Sequence, residues 1–233
     1  MSPASRRPRH AERLDRVAVV LFLAAWTWAL IRVSPSMLQP KALGPILLGV
    51  FAGYVLADFI SGTVHWIADR YFAPTTWLIG PLLIAPFREH HADASEIARH
   101  DFFEISGNNA LVSLPLVVAI CFLPPPTAES SFRVGFALAH GLGLGLTLAV
   151  FLTNQLHGWA HQATPPAPIR RLQRWGWILS QERHDLHHRH HDRAYCVTSG
   201  WLNPLLDRIH FFPGLEQGIE ALRRSGRLRS RTR

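Results

Sequence analysis

Four apolar runs, 17–31, 43–60, 110–123 and 132–152, are interrupted only by small or weakly polar residues. A helix that crosses a bilayer needs about 20 apolar residues, and about 17 suffice where the end residues reach back to the interface. The second and fourth runs meet that length; the first and third are short, and on length alone a buried helix of a soluble protein is the alternative for them. The first run lacks the pattern of a cleavable signal peptide, because Trp26, Trp28 and Ile31 lead into Arg32 without small residues at a cleavage position. The expected fold is an all-α membrane protein, a four-transmembrane-helix bundle with a His-rich cytoplasmic helical cap. One membrane-embedded domain is expected over 17–212. A basic cytoplasmic N-terminus, 1–16, precedes it, and a basic tail, 213–233, is expected to be disordered.

Charge orients the bundle. With Arg6, Arg7, Arg9, Arg13 and Arg16 in the cytoplasm, four crossings return the C-terminus to the same side, and of the 24 Lys and Arg only Arg32, Lys41 and Arg133 face outward. That asymmetry is the one the positive-inside rule describes. It accounts for the formal charge of +8 without nucleic acid, and no basic groove interleaved with aromatic residues is present. Two cysteines, Cys121 and Cys196, are too few for a disulfide framework.

The histidines play no part in drawing this topology, yet they gather on one side of it. His65 follows the second span; His90, His91 and His100 precede the third; His157 and His161 follow the fourth; His184, His187, His188, His190 and His191 come after all four. His140 lies within a span, and His10 and His210 stand apart. Residues three or four apart on a helix share a face, so His65 with Asp69, His157 with His161, and His184 with His187 and His188 each present ligand atoms together. Imidazoles crowded into a low-dielectric bundle end cannot all stay protonated, and left neutral without partners each costs about 1–3 kcal/mol. Metal coordination removes both penalties; an acid-sensing or surface His-rich tract is the alternative.

Imidazole suits Zn, Cu, Fe and Ni. A catalytic zinc takes about three protein ligands, so eight or more histidines with carboxylates point to two metal ions. HGWAH places Gly158 where the zinc-protease motif HExxH has its general base, and no thiolate set for copper(I) or an iron–sulfur cluster exists. Two irons are the remaining choice. Hydrolase chemistry through Ser199 or Cys196 lacks a nucleophile-elbow pattern, and Cys196 between Tyr195 and Val197 reads as packing.

The stretches ADFISGTVHWIAD (57–69), FREHHADASEIARHDFFEISGNN (87–109), TNQLHGWAH (153–161) and HDLHHRHHDRAYCVTSGWLNPLLDRIHFF (184–212) resemble the lipid desaturase family that includes the plasmanylethanolamine desaturases and their bacterial light-response relatives. The resemblance implies a diiron enzyme that uses O2 as co-substrate and external electrons to introduce a vinyl ether double bond into an alkyl-ether phospholipid. It assigns metal-site positions to His65, His90, His91, His100, His157, His161, His184, His187 and His188, with Asp69 as a further functional carboxylate. His191 is an additional candidate, although one residue is missing between it and HDLHH relative to the family pattern; EISGNN at 104–109 likewise has one acid fewer. Implied partners are the phospholipid, the bilayer, and an electron donor of the cytochrome b5 or ferredoxin type with its reductase. An acyl-lipid desaturase, a hydroxylase on the same scaffold, and a non-enzymatic metal-binding membrane protein are the competing functions. Arg88 and Arg183, with Trp66 and Trp159, are candidates for headgroup contact or interfacial anchoring, and the GLGLG stretch at 141–145 for close helix packing or room for a lipid chain.

Overall fold

The structure is a computed structural model that describes residues 9–77, 79–80, 84–94, 96–126 and 133–225. It contains α1 (Arg9–Met37), α2 (Pro40–Arg70), α3 (Ala85–Ala92), α4 (Phe102–Cys121), α5 (Arg133–Ala160), α6 (Ala167–Arg174), α7 (Gln181–His190), α8 (Asn203–Arg208) and α9 (Phe211–Arg224), with no strand among the described residues. The first two apolar runs lie inside longer helices, α1 and α2, and the last two fall largely within α4 and α5, and all four helices are long and apolar enough to cross a membrane. The first and third runs look short because their helices continue through polar residues. In α4 those residues face inward: Ser106 and Gly107 are buried, and Asn109 Nδ2 donates to the Val150 carbonyl at 2.7 Å. Asp101 starts α4 by accepting from the Phe103 and Glu104 amides, two of the donors a helix start leaves unpaired.

Large apolar side chains cover the outside of the bundle, among them Val20, Leu47, Leu48 and Val112. Such a contiguous apolar exterior fits hydrocarbon rather than water. Inside, Phe22 of α1 stacks on Phe151 of α5 with ring centroids 4.3 Å apart, and Ala29, Val33, Ile46, Ile120 and Leu144 fill a second layer.

The α2–α5 contact is made by glycines spaced four apart on both helices. A Cβ on Gly49 or Gly53 would strike the α5 backbone at 138–146, and one on Gly141 or Gly145 would strike Ile46 or Val50 of α2. Small residues that let two backbones touch are the usual means of joining helices in lipid, where no hydrophobic force drives them together. Gly141 and Gly145 of GLGLG therefore serve close packing, and Gly143 rests on Ile120 of α4. Gly145→Leu should destabilise the detergent-purified protein by more than the roughly 1–3 kcal/mol of ordinary overpacking. Gly44→Leu, where an added Cβ meets nothing, should be near neutral in the same thermal-unfolding measurement.

Two boundaries differ from the sequence expectation. Much of the tail expected to be disordered is helix α9, because Phe211, Phe212 and Ile219 form an apolar stripe that packs on Trp66, Tyr195 and Leu206; residues 226–233 lie outside the described residues. At the other end α1 is continuous from Arg9, and its buried Asp15 packs against Gly107. Trp66 is no interfacial anchor: it is buried under α9 and donates to Glu216 Oε1 at 2.9 Å.

Candidate metal centre

The ends of α2 and α5 project past the apolar layer, and α3 and α7 close over them. Ser180 caps α7 by accepting from the Arg183 amide, so HDLHH begins within the first turn and places His184, His187 and His188 toward α2 and α5. Four helices, one more than the three that spacing alone suggested, then bring nine side chains into two ligand groups. The first comprises His90, His157, His161, His184 and His188; the second comprises His65, Asp69, His91 and His187. Within each group one potential ligand atom per residue lies within 4.8 Å of all the others.

The nitrogens face one another with too few protons to share. In the first group His184 Nε2 lies 2.7 Å from His157 Nε2 and 3.0 Å from His188 Nε2, and His161 Nε2 lies 3.2 Å from His157 Nε2. Burial, reinforced by His91, His188 and His161, lowers the pKa of His90 to about 2. Burial likewise lowers His161 to about 4 and His188 to about 3, and takes His184 well below the usual imidazole range. At neutral pH these rings are uncharged, with one N–H each. Lone pairs aimed at one point repel unless an electrophile occupies it. Two ligands each about 2.1 Å from one ion lie about 3–4.2 Å apart, close to the spacing seen.

In the second group His187 Nε2 lies 3.4 Å from His91 Nε2 and 3.4 Å from Asp69 Oδ2; His91 Nε2 lies 3.2 Å from Asp69 Oδ1. Backbone carbonyls fix the tautomers of two of these rings. The Tyr195 carbonyl is 3.1 Å from His65 Nδ1 and the Arg193 carbonyl is 2.8 Å from His187 Nδ1. A carbonyl can only accept, so Nδ1 carries the proton and Nε2 presents a lone pair, the arrangement that orients metal-bound histidines. Among the described residues His65 Nε2 and His90 Nε2 are buried without a hydrogen-bond partner, His65 Nε2 lying 3.5 Å from Asp69 Oδ2. Asp69, the further functional carboxylate of the sequence reading, lies within the second ligand group. The donor set of eight imidazoles and one carboxylate, in two groups, is compatible with metal ions.

Two residues singled out by sequence stay outside. His100 Nδ1 sits 2.8 Å from Glu104 Oε2, is over one-third exposed, and joins neither group; the extended backbone at the His100–Asp101 cap of α4 turns it away. His191 ends α7 in a left-handed conformation, φ 50°, which takes its ring off the HDLHH face. Its ring is 5.2 Å from His91, and its carbonyl accepts from the Tyr195 hydroxyl at 2.8 Å. His190 is exposed.

The segment 193–203, which supplies the two orienting carbonyls, is the feature sequence reasoning missed. It is a buried, mostly non-helical strap across the end of α2. Fully buried Asp58 accepts from the Ser199 and Gly200 amides through Oδ1, at 2.7 and 2.9 Å, and from the Leu202 amide through Oδ2 at 3.1 Å. Ser61 Oγ accepts from the Val197 amide, and Asn203 bridges both backbone groups of Cys196. Gly200 has φ 71°, in the left-handed region where a side chain strains the backbone. An Asp inside an apolar run is expensive and is usually kept for a specific partner; that signal in ADFISG could have found it. Cys196 is buried packing, its thiol pushed far up by burial.

A lipid desaturase domain matches residues 54–229. The chain is 41% identical over 175 residues to plasmanylethanolamine desaturase of Myxococcus xanthus, covering 75% of this chain and 60% of that protein. It is 38% identical over 183 residues to plasmanylethanolamine desaturase 1 of Mus musculus, covering 76% and 66%. To the chloroplastic fatty acid desaturase 4 of Arabidopsis thaliana it is 33% identical over 177 residues, covering 75% and 51%. The chain thus spans between half and two thirds of the length of these relatives. No solved structure matches it significantly.

Proposed function

The chain belongs to the lipid desaturase family, and from that premise we propose that it is a multi-pass membrane oxidoreductase converting an alkyl-ether phospholipid, plasmanylethanolamine, into its vinyl ether, the plasmalogen. The observation that carries this reading is the pair of adjoining imidazole-rich groups at one end of an apolar bundle. Two irons, held by those groups, would supply O2-dependent oxidation of an unactivated C–H pair. The balance is one lipid, one O2, two electrons and two protons giving one alkene and two waters. The choice of ether over acyl lipid is supported by the two relatives named plasmanylethanolamine desaturase.

The chain's own residues orient and enclose. Tyr195 and Arg193 carbonyls hold His65 and His187 in the ligating tautomer, and burial of His65, His90, His157, His184 and His187 keeps bulk water from the ligand atoms. The positive-inside rule supports a reading with the His end and both termini in the cytoplasm, where an electron donor of the cytochrome b5 or ferredoxin type would reach it.

The test is a lipid extract compared by mass spectrometry with and without the gene. An ether phospholipid lighter by two hydrogens whose new double bond is destroyed by mild acid is expected. An acid-stable double bond would transfer the assignment to acyl lipids, a gain of one oxygen would make the protein a hydroxylase, and an unchanged lipid profile would leave a metal-binding membrane protein.

A further inference from the structure

Where the second ligand group reaches the surface, a cavity of about 230 Å³ is lined by Asp69, Arg70, Arg88, His91 and His191. Two of those five residues belong to the ligand group, so anything bound in the cavity sits beside the metal centre. We propose that this cleft binds the phosphate of the phospholipid substrate, with Arg70 and Arg88 as its two cationic contacts; the assignment rests on the ether-lipid reading above and specifies where its substrate is held.

Arg70 is built to receive an anion. Its Nε is occupied, lying 3.0 Å from Glu216 Oε1 of α9 and 3.3 Å from the Tyr195 hydroxyl. These contacts fix the guanidinium plane and, among the described residues, leave both Nη groups unengaged. A guanidinium held by one edge presents the other as a preorganised fork, the geometry that recognises phosphate best. Arg88 comes from the facing helix α3. It is exposed, its stem is tethered by one bond from Nη2 to the Phe72 carbonyl at 2.6 Å, and its remaining donors are unengaged among the described residues. The carboxylate of Asp69 at the inner wall of the cavity is turned onto His65, His91 and His187 within the ligand group and makes no ion pair with either arginine among the described residues.

Chain geometry explains why the phosphate site lies here. In an alkyl-ether phospholipid the carbon next to the ether oxygen is about six bonds from phosphorus; three chain bonds span about 3.3–3.6 Å, so the separation cannot exceed about 7 Å. A vinyl ether desaturase must therefore grip the phosphate beside its metal ligands. An enzyme acting in mid-chain would hold it farther off. The other large cavity, about 390 Å³ between Arg183, Leu186, Trp201 and Pro204, contains no ligand-group residue. Its arginine is already bonded to the Ser199 and Gly176 carbonyls.

The test uses the full-length, iron-loaded protein in detergent. Native mass spectrometry measures its affinity for an alkyl-acyl glycerophospholipid, for the same lipid lacking its phosphate, and for inorganic phosphate. Arg88→Gln and Arg70→Gln should each weaken phospholipid binding about tenfold or more, the worth of a charge-assisted hydrogen bond. Binding of the phosphate-free lipid should stay constant, and Arg88→Lys should recover part of the loss. Glu216→Gln, which keeps the arginine and removes its partner's charge, should retain phospholipid binding. Equal phospholipid affinity in wild type and both Gln variants overturns the proposal. So does arginine-dependent binding of inorganic phosphate without binding of the phospholipid, which would make the cleft a free-phosphate site. In a turnover assay the same variants should raise KM with kcat nearly unchanged. If wild type desaturates no lipid while arginine-dependent phospholipid binding persists, the catalytic reading falls and the phosphate site stands.

Discussion

His184→Ala is expected to remove at least one of two bound metal ions and to lower lipid desaturation by more than about 100-fold. His184 Nε2 is the point on which the first ligand group converges, within 3.0 Å of both His157 and His188 nitrogens. Changes to groups that merely orient a ligand already cost about 10–100-fold in metal affinity or activity, so loss of a ligand at the centre must exceed that. The side chain is one helical turn from its cap, and Ala is a strong helix former, so α7 itself should persist. His100→Ala is the matched control, because His100 engages Glu104 outside both groups; it should retain both ions. Metal content per chain by elemental analysis, beside product formation, decides the matter. Two ions in the His184→Ala protein, or loss of an ion in His100→Ala, would refute the ligand assignment.

Asp58→Ala should have the largest effect of any residue that touches no ligand atom. Its carboxylate takes three backbone N–H groups of the strap at 2.7–3.1 Å, those of Ser199 and Gly200 buried and that of Leu202 partly buried. Leaving buried donors without an acceptor costs about 1–3 kcal/mol each, so the variant should lose about 3–5 kcal/mol. The strap carries the carbonyls of Arg193 and Tyr195, and with them the orientation of His187 and His65. The second ligand group should therefore weaken while the first, none of whose orienting contacts comes from the strap, is spared. Asp58→Asn keeps Oδ1 for Ser199 and Gly200 but turns a donor toward the Leu202 amide, and should fall between Ala and wild type. Iron spectroscopy of the purified variants reads this out as selective change at one of two iron environments; equal loss of both ions would show that Asp58 acts on overall stability alone.

The helical class and the bundle were legible because the bilayer demands long apolar runs, and such runs are visible whatever the tertiary structure. The i, i+3 and i, i+4 spacings likewise placed His65 with Asp69, His157 with His161, and His184 with His187 and His188, because a helix fixes those geometries locally. His100 falls outside both ligand groups for the complementary reason. Its motif position was right, but it lies just before the start of α4, and a cap rather than a helical face decides where its ring points. The strap was invisible because no periodicity marks a buried extended segment, and its anchor Asp58 lies 135 positions upstream of Arg193 in the chain. The helix in α9 was masked by composition: many arginines suggested a solvated tail, whereas Phe211, Phe212 and Ile219 recur at a spacing that packs.

Adjacent residues in two helices are dealt alternately to the two ligand groups: His90 and His91 on α3, His188 and His187 on α7. Neither helix can be drawn in by one ion without setting the stage for the other. Binding of one cation would order both short helices, so a second would enter a scaffold already in place. Loading of the wild-type centre should therefore be cooperative, with the first ion raising affinity at the second group.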